Sequence, residues 1–325
     1  MVINGKLNYS KVKETREEKD ITIKKISDDL GLDIEILKSI ESGQVLPSKE
    51  VIAKLSTYLG LNIDEIYDEN FKNTRVLTFL NNKGGSGKTS VSGSVAYALS
   101  EQGRKVLCID ADMQGNLTHS FNLECDEEKN LYKALLQEAD LTNYIIPSGY
   151  ENIDFITYSA GLSAIEMIMF TKNAREGILS RMIENVIGSG IYDYILIDTN
   201  PTLSILNLNT VGVAHYVIPP VYLGSFGLEG LSYLLDFVDG AAKFNPNFKD
   251  IMFVINNYDK RKGISLKLRK WLEENYPEHL FKTIVNIDTA IEQAQLEGKP
   301  VLEYKPNSRI SCDVRSLTKE ILNLD

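Results

Sequence analysis

The segment Lys83-Gly84-Gly85-Ser86-Gly87-Lys88-Thr89-Ser90 constrains this chain more than any other. It follows an apolar run at 76–80 and opens a stretch where Val91, Val95 and Leu99 recur at helical spacing. Strand, glycine-rich loop and helix, in that order, are the setting of a phosphate-binding loop. Glycines let backbone N–H groups converge on phosphate oxygens, and the helix N-terminus adds partial positive charge. Gly84, Gly85, Ser86, Gly87, Lys88, Thr89 and Ser90 are therefore expected to cradle a nucleotide. Lys88 reaches its β- and γ-phosphates, and the Thr89 hydroxyl is a ligand for Mg²⁺. The cofactors expected are ATP and Mg²⁺.

The surroundings suit that loop. Apolar runs recur at 106–109, 153–156, 194–197, 216–221 and 251–255. Helical stretches lie between runs, for example at 88–102, 174–187, 227–240 and 264–275. Strands apolar throughout are buried on both faces, and alternation with helices implies a mostly parallel sheet covered on both sides. The fold class expected for residues 71–325 is therefore α/β. With 325 residues and 43% hydrophobic content, there is room for a second domain and a full core.

Residues 1–70 carry no strand-like run. Ile21, Ile26 and Leu30 repeat at helical spacing up to Gly31; Ile34, Leu37 and Ile40 follow, and then Val51, Leu55, Leu59 and Ile63. Short helices around a glycine turn predict a small all-α helix-turn-helix domain. The polar stretch 68–75 is expected to be a linker.

Composition excludes several classes. There are 35 Lys+Arg against 45 Asp+Glu, a net charge of −10, so any nucleic-acid contact must come from a local patch. Cys108, Cys125 and Cys312 have no short spacing, which argues against a disulfide framework or cysteine cluster and suits a reducing cytosol. Cys108, in mid-strand, is expected to be a packed core thiol. No apolar run reaches 18 residues and the N-terminus is polar, so neither a membrane span nor a signal peptide is expected.

Two further strands end in acids. The run 106–109 continues as Asp110-Ala111-Asp112, and 194–197 ends at Asp198. Carboxylates at the carboxyl end of parallel strands lie beside the ligand crevice.

The loop departs from the ordinary pattern: Asn82 stands where glycine is usual, and Lys83 sits five residues before Lys88. This form resembles the deviant Walker A motif of the ParA/MinD superfamily of P-loop ATPases. The resemblance implies that Lys83 contacts phosphate across a nucleotide-sandwich homodimer. Asp110-Ala111-Asp112-Met113-Gln114-Gly115-Asn116 is similar to the family's D-x-D-P-Q-G-N, with Met113 in place of proline. By that likeness Asp112 orients the attacking water, and Asp110 supports the metal and loop. The segment 192–199 looks like a Walker B strand, implying that Asp198 holds Mg²⁺, although Asn200-Pro201 departs from the usual Pro-Pro. Gly227-Leu228-Glu229-Gly230-Leu231 and 256–259 also resemble family segments, and Asn257 is where the family contacts adenine.

Within the superfamily, the iron-protein branch needs clustered cysteines and the tyrosine-kinase branch a C-terminal tyrosine cluster. The MinD branch needs a basic membrane helix, whereas this sequence ends Leu322-Asn323-Leu324-Asp325. What remains is the DNA-partitioning branch. Residues 9–67 resemble the Cro/C1 (XRE) helix-turn-helix, with Ile40-Glu41-Ser42-Gly43 and Pro47 in place. The implied protein is a plasmid or mobile-element partition ATPase, cytoplasmic and nucleoid-associated, with a ParB-like partner stimulating hydrolysis. A nucleotide-switched repressor and a MinD-like positioner are the alternatives.

The recognition helix begins Asp33-Ile34-Glu35, and residues 1–75 hold 12 basic and 14 acidic side chains. The front domain therefore serves either DNA or protein. The family's arginines before the final G-K-P are missing from 286–292. Non-specific DNA binding is expected instead at Lys267 and Lys270, among the basic residues of 260–270, and at Arg315 and Lys319, beside Lys305 and Arg309.

Overall fold

The computed structural model describes residues 6–41, 47–68, 74–222 and 228–324. The chain forms two compact units, Met1–Asn73 and Thr74–Asp325.

Among its described residues the front unit holds five helices, Tyr9–Glu18, Ile23–Leu30, Ile34–Glu41, Lys49–Leu59 and Ile63–Ile66. Side chains of Asn8, Thr22, Ser48 and Asn62 accept a backbone N–H at the start of four of them. Gly31, at φ +67°, ends the second helix in the left-handed conformation that glycine adopts without strain. Ile26, Leu37, Ile40, Ile52, Leu55 and Leu59 fill the core. The unit is not purely helical: β1 (Lys6–Leu7) pairs antiparallel with β2 (Tyr67–Asp68). Two-residue strands carry too little pattern to be seen in sequence. Asp68 thus belongs to a strand, not to the expected linker. Residues 69–73 lie outside the described residues, as do Ser42 and Gly43 of the predicted turn.

A largely shielded ion pair ties the first helix to the third. Arg16 Nε and Nη2 donate to Glu41 at 2.6 and 2.9 Å, and Nη1 donates to the Ile21 carbonyl at 3.1 Å. Both side chains are nearly buried.

In the second unit, seven strands form one sheet: β3 (Arg75–Phe79), β4 (Val106–Ala111), β5 (Ile146–Pro147), β6 (Ile153–Ile156), β7 (Tyr194–Thr199), β8 (Tyr216–Val217) and β10 (Asp250–Ile251). Their order is β10-β8-β3-β7-β4-β6-β5, all parallel except β5. A second parallel sheet holds β9 (Pro220–Tyr222), β11 (Phe253–Tyr258) and β12 (Leu280–Asn286). Alternate residues of the central strands feed two cores. Leu77, Phe79, Cys108 and Leu196 face the core that includes helices Lys88–Glu101 and Arg309–Leu322. Val76, Leu107, Ile109 and Ile195 face the core of helices Leu131–Gln137, Leu162–Phe170 and Ile178–Ser189. This is the doubly covered parallel sheet that the apolar runs imply, and Cys108 is a fully buried thiol.

Two runs read as single strands are broken. The run 216–221 divides into β8 and β9, in different sheets, because Pro219 and Pro220 have no N–H for a ladder. The run 251–255 divides at Met252 into β10 and β11. The stretch 174–187 begins as a 3₁₀ turn, Arg175–Gly177, before its helix. Among the described residues, no helix is long and apolar enough to cross a membrane.

Removing Glu41 takes two charge-assisted hydrogen bonds from Arg16 but leaves it Glu17 and the Ile21 carbonyl. Glu41→Ala should therefore lower the stability of the front unit by about 1–2 kcal/mol and leave the second unit's transition in place. Calorimetry of the full chain would resolve the two.

Candidate nucleotide-binding site

The loop 80–87 joins β3 to helix Lys88–Glu101 at the carboxyl edge of the sheet. Gly87 precedes that helix at φ +92°, and no side chain caps the helix. Its first N–H groups are therefore available to an anion. A Cβ on Gly87 would come within 2.0 Å of Asn256 Nδ2, so only glycine fits there. Asn256 is there for a reason: its amide donates to the Ser86 carbonyl at 2.8 Å, latching the loop to β11. Asn81 holds the other end, donating to the Pro220 carbonyl at 2.8 Å and accepting from Lys83 N at 3.0 Å.

Register brings the acids together. Asp198 pairs with Phe79 on one side and with Asp110 on the other, so the two carboxylates stand at one height on adjacent strands. Both are fully buried. Thr89, in the first turn of the helix, donates to Asp198 Oδ2 at 2.6 Å. Asp198 Oδ1 is buried with no hydrogen-bond partner. Burial, then the charge of Asp110, pushes the Asp198 carboxyl up to about 8. Burial pushes Asp110 up to about 6, against the hydrogen bonds it accepts from Thr118 N and Oγ1 and from Asp112 N. Lys88 is buried too; desolvation lowers its pKa, opposed by the charges of Asp198 and Asp112.

The expected ligands thus divide by role. Asp110 is consumed in holding the turn at Thr118. Asp112 sits past the strand end, receives Gln114 N on Oδ1 at 3.0 Å, and lines the cleft. The orphaned oxygen of Asp198 and the hydroxyl on its other oxygen are a hard-oxygen set that fits Mg²⁺. Among the described residues, no cluster of three or more His, Cys, Asp or Glu could hold a metal by itself. The loop after Asp198, where Asn200 departs from the family pattern, is knotted by buried Asn207, whose amide donates to Asn200 O, Asn200 Oδ1 and Thr202 O.

A cleft of about 710 Å³ collects Gly84, Gly85, Gly87, Lys88, Thr89, Ser90 and Asp112. Asn257 joins them in the left-handed region, at φ +52°. Sequence reasoning missed Asn256 beside it, and also missed 286–289, a loop that lines the same cleft after β12. The alternation Phe281, Val285 within 280–286 was the available signal for that strand. Of the basic residues, Lys267 and Lys319 are exposed, and Lys270 is exposed with Glu274 at 3.5 Å. Arg315 is engaged, donating to both oxygens of Glu101 and to the Pro306 carbonyl. Gly227 of the segment 227–231 lies outside the described residues.

A family model described as an AAA domain matches residues 74–250, and one described as a helix-turn-helix domain matches 9–70. The chain belongs to the ParA/MinD family of P-loop ATPases. This ParA-type chain is 31% identical to the cell division protein PomZ of Myxococcus xanthus, over 75% of this chain and 76% of that one. It is 30% identical to the sporulation initiation inhibitor Soj of Bacillus subtilis, over 76% and 98%. Among solved structures, the McdA–ATP complex of Cyanothece superposes with TM-score 0.69 at 21% identity, covering 78% and 98%. Cobyrinic acid a,c-diamide synthase of Mycobacterium smegmatis, with ATP analogue and magnesium, gives 0.64 at 25%, covering 77% and 95%.

Carboxyls with raised pKa keep a proton that the unfolded chain has lost. These two groups should therefore make the second unit lose stability as pH rises from about 4 through 8. Asp198→Asn should remove much of that loss. Without nucleotide it should stabilise the unit by about 1–3 kcal/mol at pH 8 and far less at pH 4, as read by urea melts.

Proposed function

We propose that this ParA-type chain is an ATP-hydrolysing DNA segregation ATPase. The observation that carries the reading is the meeting of Lys88, Thr89 and Asp112 on one cleft, with Asp198 bonded to Thr89 behind it and Lys83 in the same loop. Bound Mg²⁺, held at Thr89 and Asp198, would neutralise phosphate charge. Phosphoryl transfer then needs mostly positioning. The loop N–H groups and Lys88 hold the phosphates, and Asp112 orients the attacking water from the mouth of the cleft. Asn257 and the loop 286–289 flank the base. Lys83 reaches the nucleotide of a second copy, closing a homodimer.

The closed dimer would bind DNA without sequence preference through Lys267, Lys270 and Lys319, and a ParB-like centromere-binding protein would trigger turnover. Arg315 contributes less, since Glu101 neutralises it. The protein would accordingly reside on the nucleoid. A nucleotide-switched repressor is the second reading, favoured by the helix-turn-helix match at 9–70.

Three variants test the chemistry together. Lys88→Ala should abolish nucleotide binding. Lys83→Ala should bind nucleotide as the parent does, yet lose ATP-dependent dimerisation and at least tenfold in turnover. Asp112→Ala should bind ATP and accumulate as a dimer with turnover reduced on the order of a hundredfold. Turnover in Asp112→Ala equal to the parent's would remove the assignment. Charge reversal at Lys267 and Lys270 should flatten the salt dependence of random-duplex binding in the ATP state.

A further inference from the structure

The recognition helix Ile34–Glu41 buries Leu37 and Ile40 and ties Glu41 to Arg16. Its outward side therefore carries Glu35, Ile36 and Lys38. Glu35 is 79% exposed, Lys38 55% and Ile36 50%. In a helix-turn-helix the N-terminal part of this helix is what meets base edges in the major groove. An acid in its first turn looks unsuited to DNA, because phosphates repel it. The geometry answers that objection for Glu35: Lys38 Nζ donates to Glu35 Oε1 at 2.8 Å, so the pair presents a neutral acceptor–donor couple, while Asp33 turns back to accept from Glu35 N and Ile36 N.

That couple has a counterpart on DNA. In a C·G pair the cytosine N4 amino group and the guanine O6 are adjacent on the major-groove edge, one a donor and the other an acceptor. We propose that Glu35 and Lys38 together read one C·G pair, Glu35 accepting from cytosine N4 and Lys38 donating to guanine O6 and N7, with Ile36 against a neighbouring thymine methyl. Lys24 and Lys25, exposed in the first turn of the preceding helix, supply charge for phosphates. The inference rests on the reading of the front unit as a DNA-binding domain and adds which base pair it selects.

The test is selection from a randomised duplex library by the full chain, without nucleotide and with excess random competitor, repeated for Glu35→Ala, Lys38→Ala and Glu35→Gln. The expected result is an enriched site containing a C·G pair next to thymine. Discrimination at that pair should fall roughly tenfold in Glu35→Ala and in Lys38→Ala. Glu35→Gln should move the preference to adenine, which glutamine pairs bidentately. Circular dichroism of each variant checks that the helix persists. An enriched site that Glu35→Ala reads as the parent does would overturn the pairing while leaving the front unit a DNA-binding domain. No enriched site with the parent chain would overturn both.

Discussion

Two carboxylates at the same height on neighbouring strands, under the start of a helix, are the constraint around which this ATPase unit is organised. Asp110 and Asp198 are wholly buried; burial disfavours ionisation of both, and the charge of Asp110 disfavours it further at Asp198. Such a pair persists only where neighbours compensate. Thr118 does so for Asp110 with two donors, and Thr89 does so for one oxygen of Asp198. The remaining oxygen of Asp198 has nothing to accept from. The unit thus carries an unsatisfied acceptor at the place where the fold positions Lys88, Thr89 and Asp112. Stability is lowered locally, in a form that a magnesium–nucleotide complex would relieve.

The phosphate loop is held from outside itself. Asn81 and Asn256 bind its two ends to β9 and β11, so its shape depends on the second, three-stranded sheet. That sheet begins at β9, where Pro219 and Pro220 interrupt the run 216–221. The same sheet ends β12 at residues 286–289, which also line the cleft. The glycine-rich loop, Asp198 and this lining therefore belong to three different strand ends, brought together only by the pairing order.

The front unit solves a smaller problem with comparable means. A short core is tightened by the partly buried ion pair Arg16–Glu41, which fixes the inner side of the recognition helix and leaves Glu35, Ile36 and Lys38 outward. Residues 1–75 hold 14 acidic side chains against 12 basic, and on that outward side Glu35 is paired with Lys38.

The phosphate loop, both Asp-ending strands and the helical front unit were legible in the sequence because each is local. Glycine spacing, a strand's apolar run and an acid at its end are set by near neighbours. The family resemblance added roles to Lys83, Asp110, Asp112 and Asp198 from motif alone. What sequence could not show depends on pairing between distant segments. The breaks in the runs 216–221 and 251–255 were hidden because apolar continuity does not reveal a change of sheet. The latch at Asn256 follows from a close approach to Gly87. The neutralisation of Arg315 by Glu101 joins residues on two helices far apart in the chain. Composition and spacing thus determined which chemistry the chain carries; the tertiary structure decided which side chains are free to perform it, because burial and partnership are properties of the packed state.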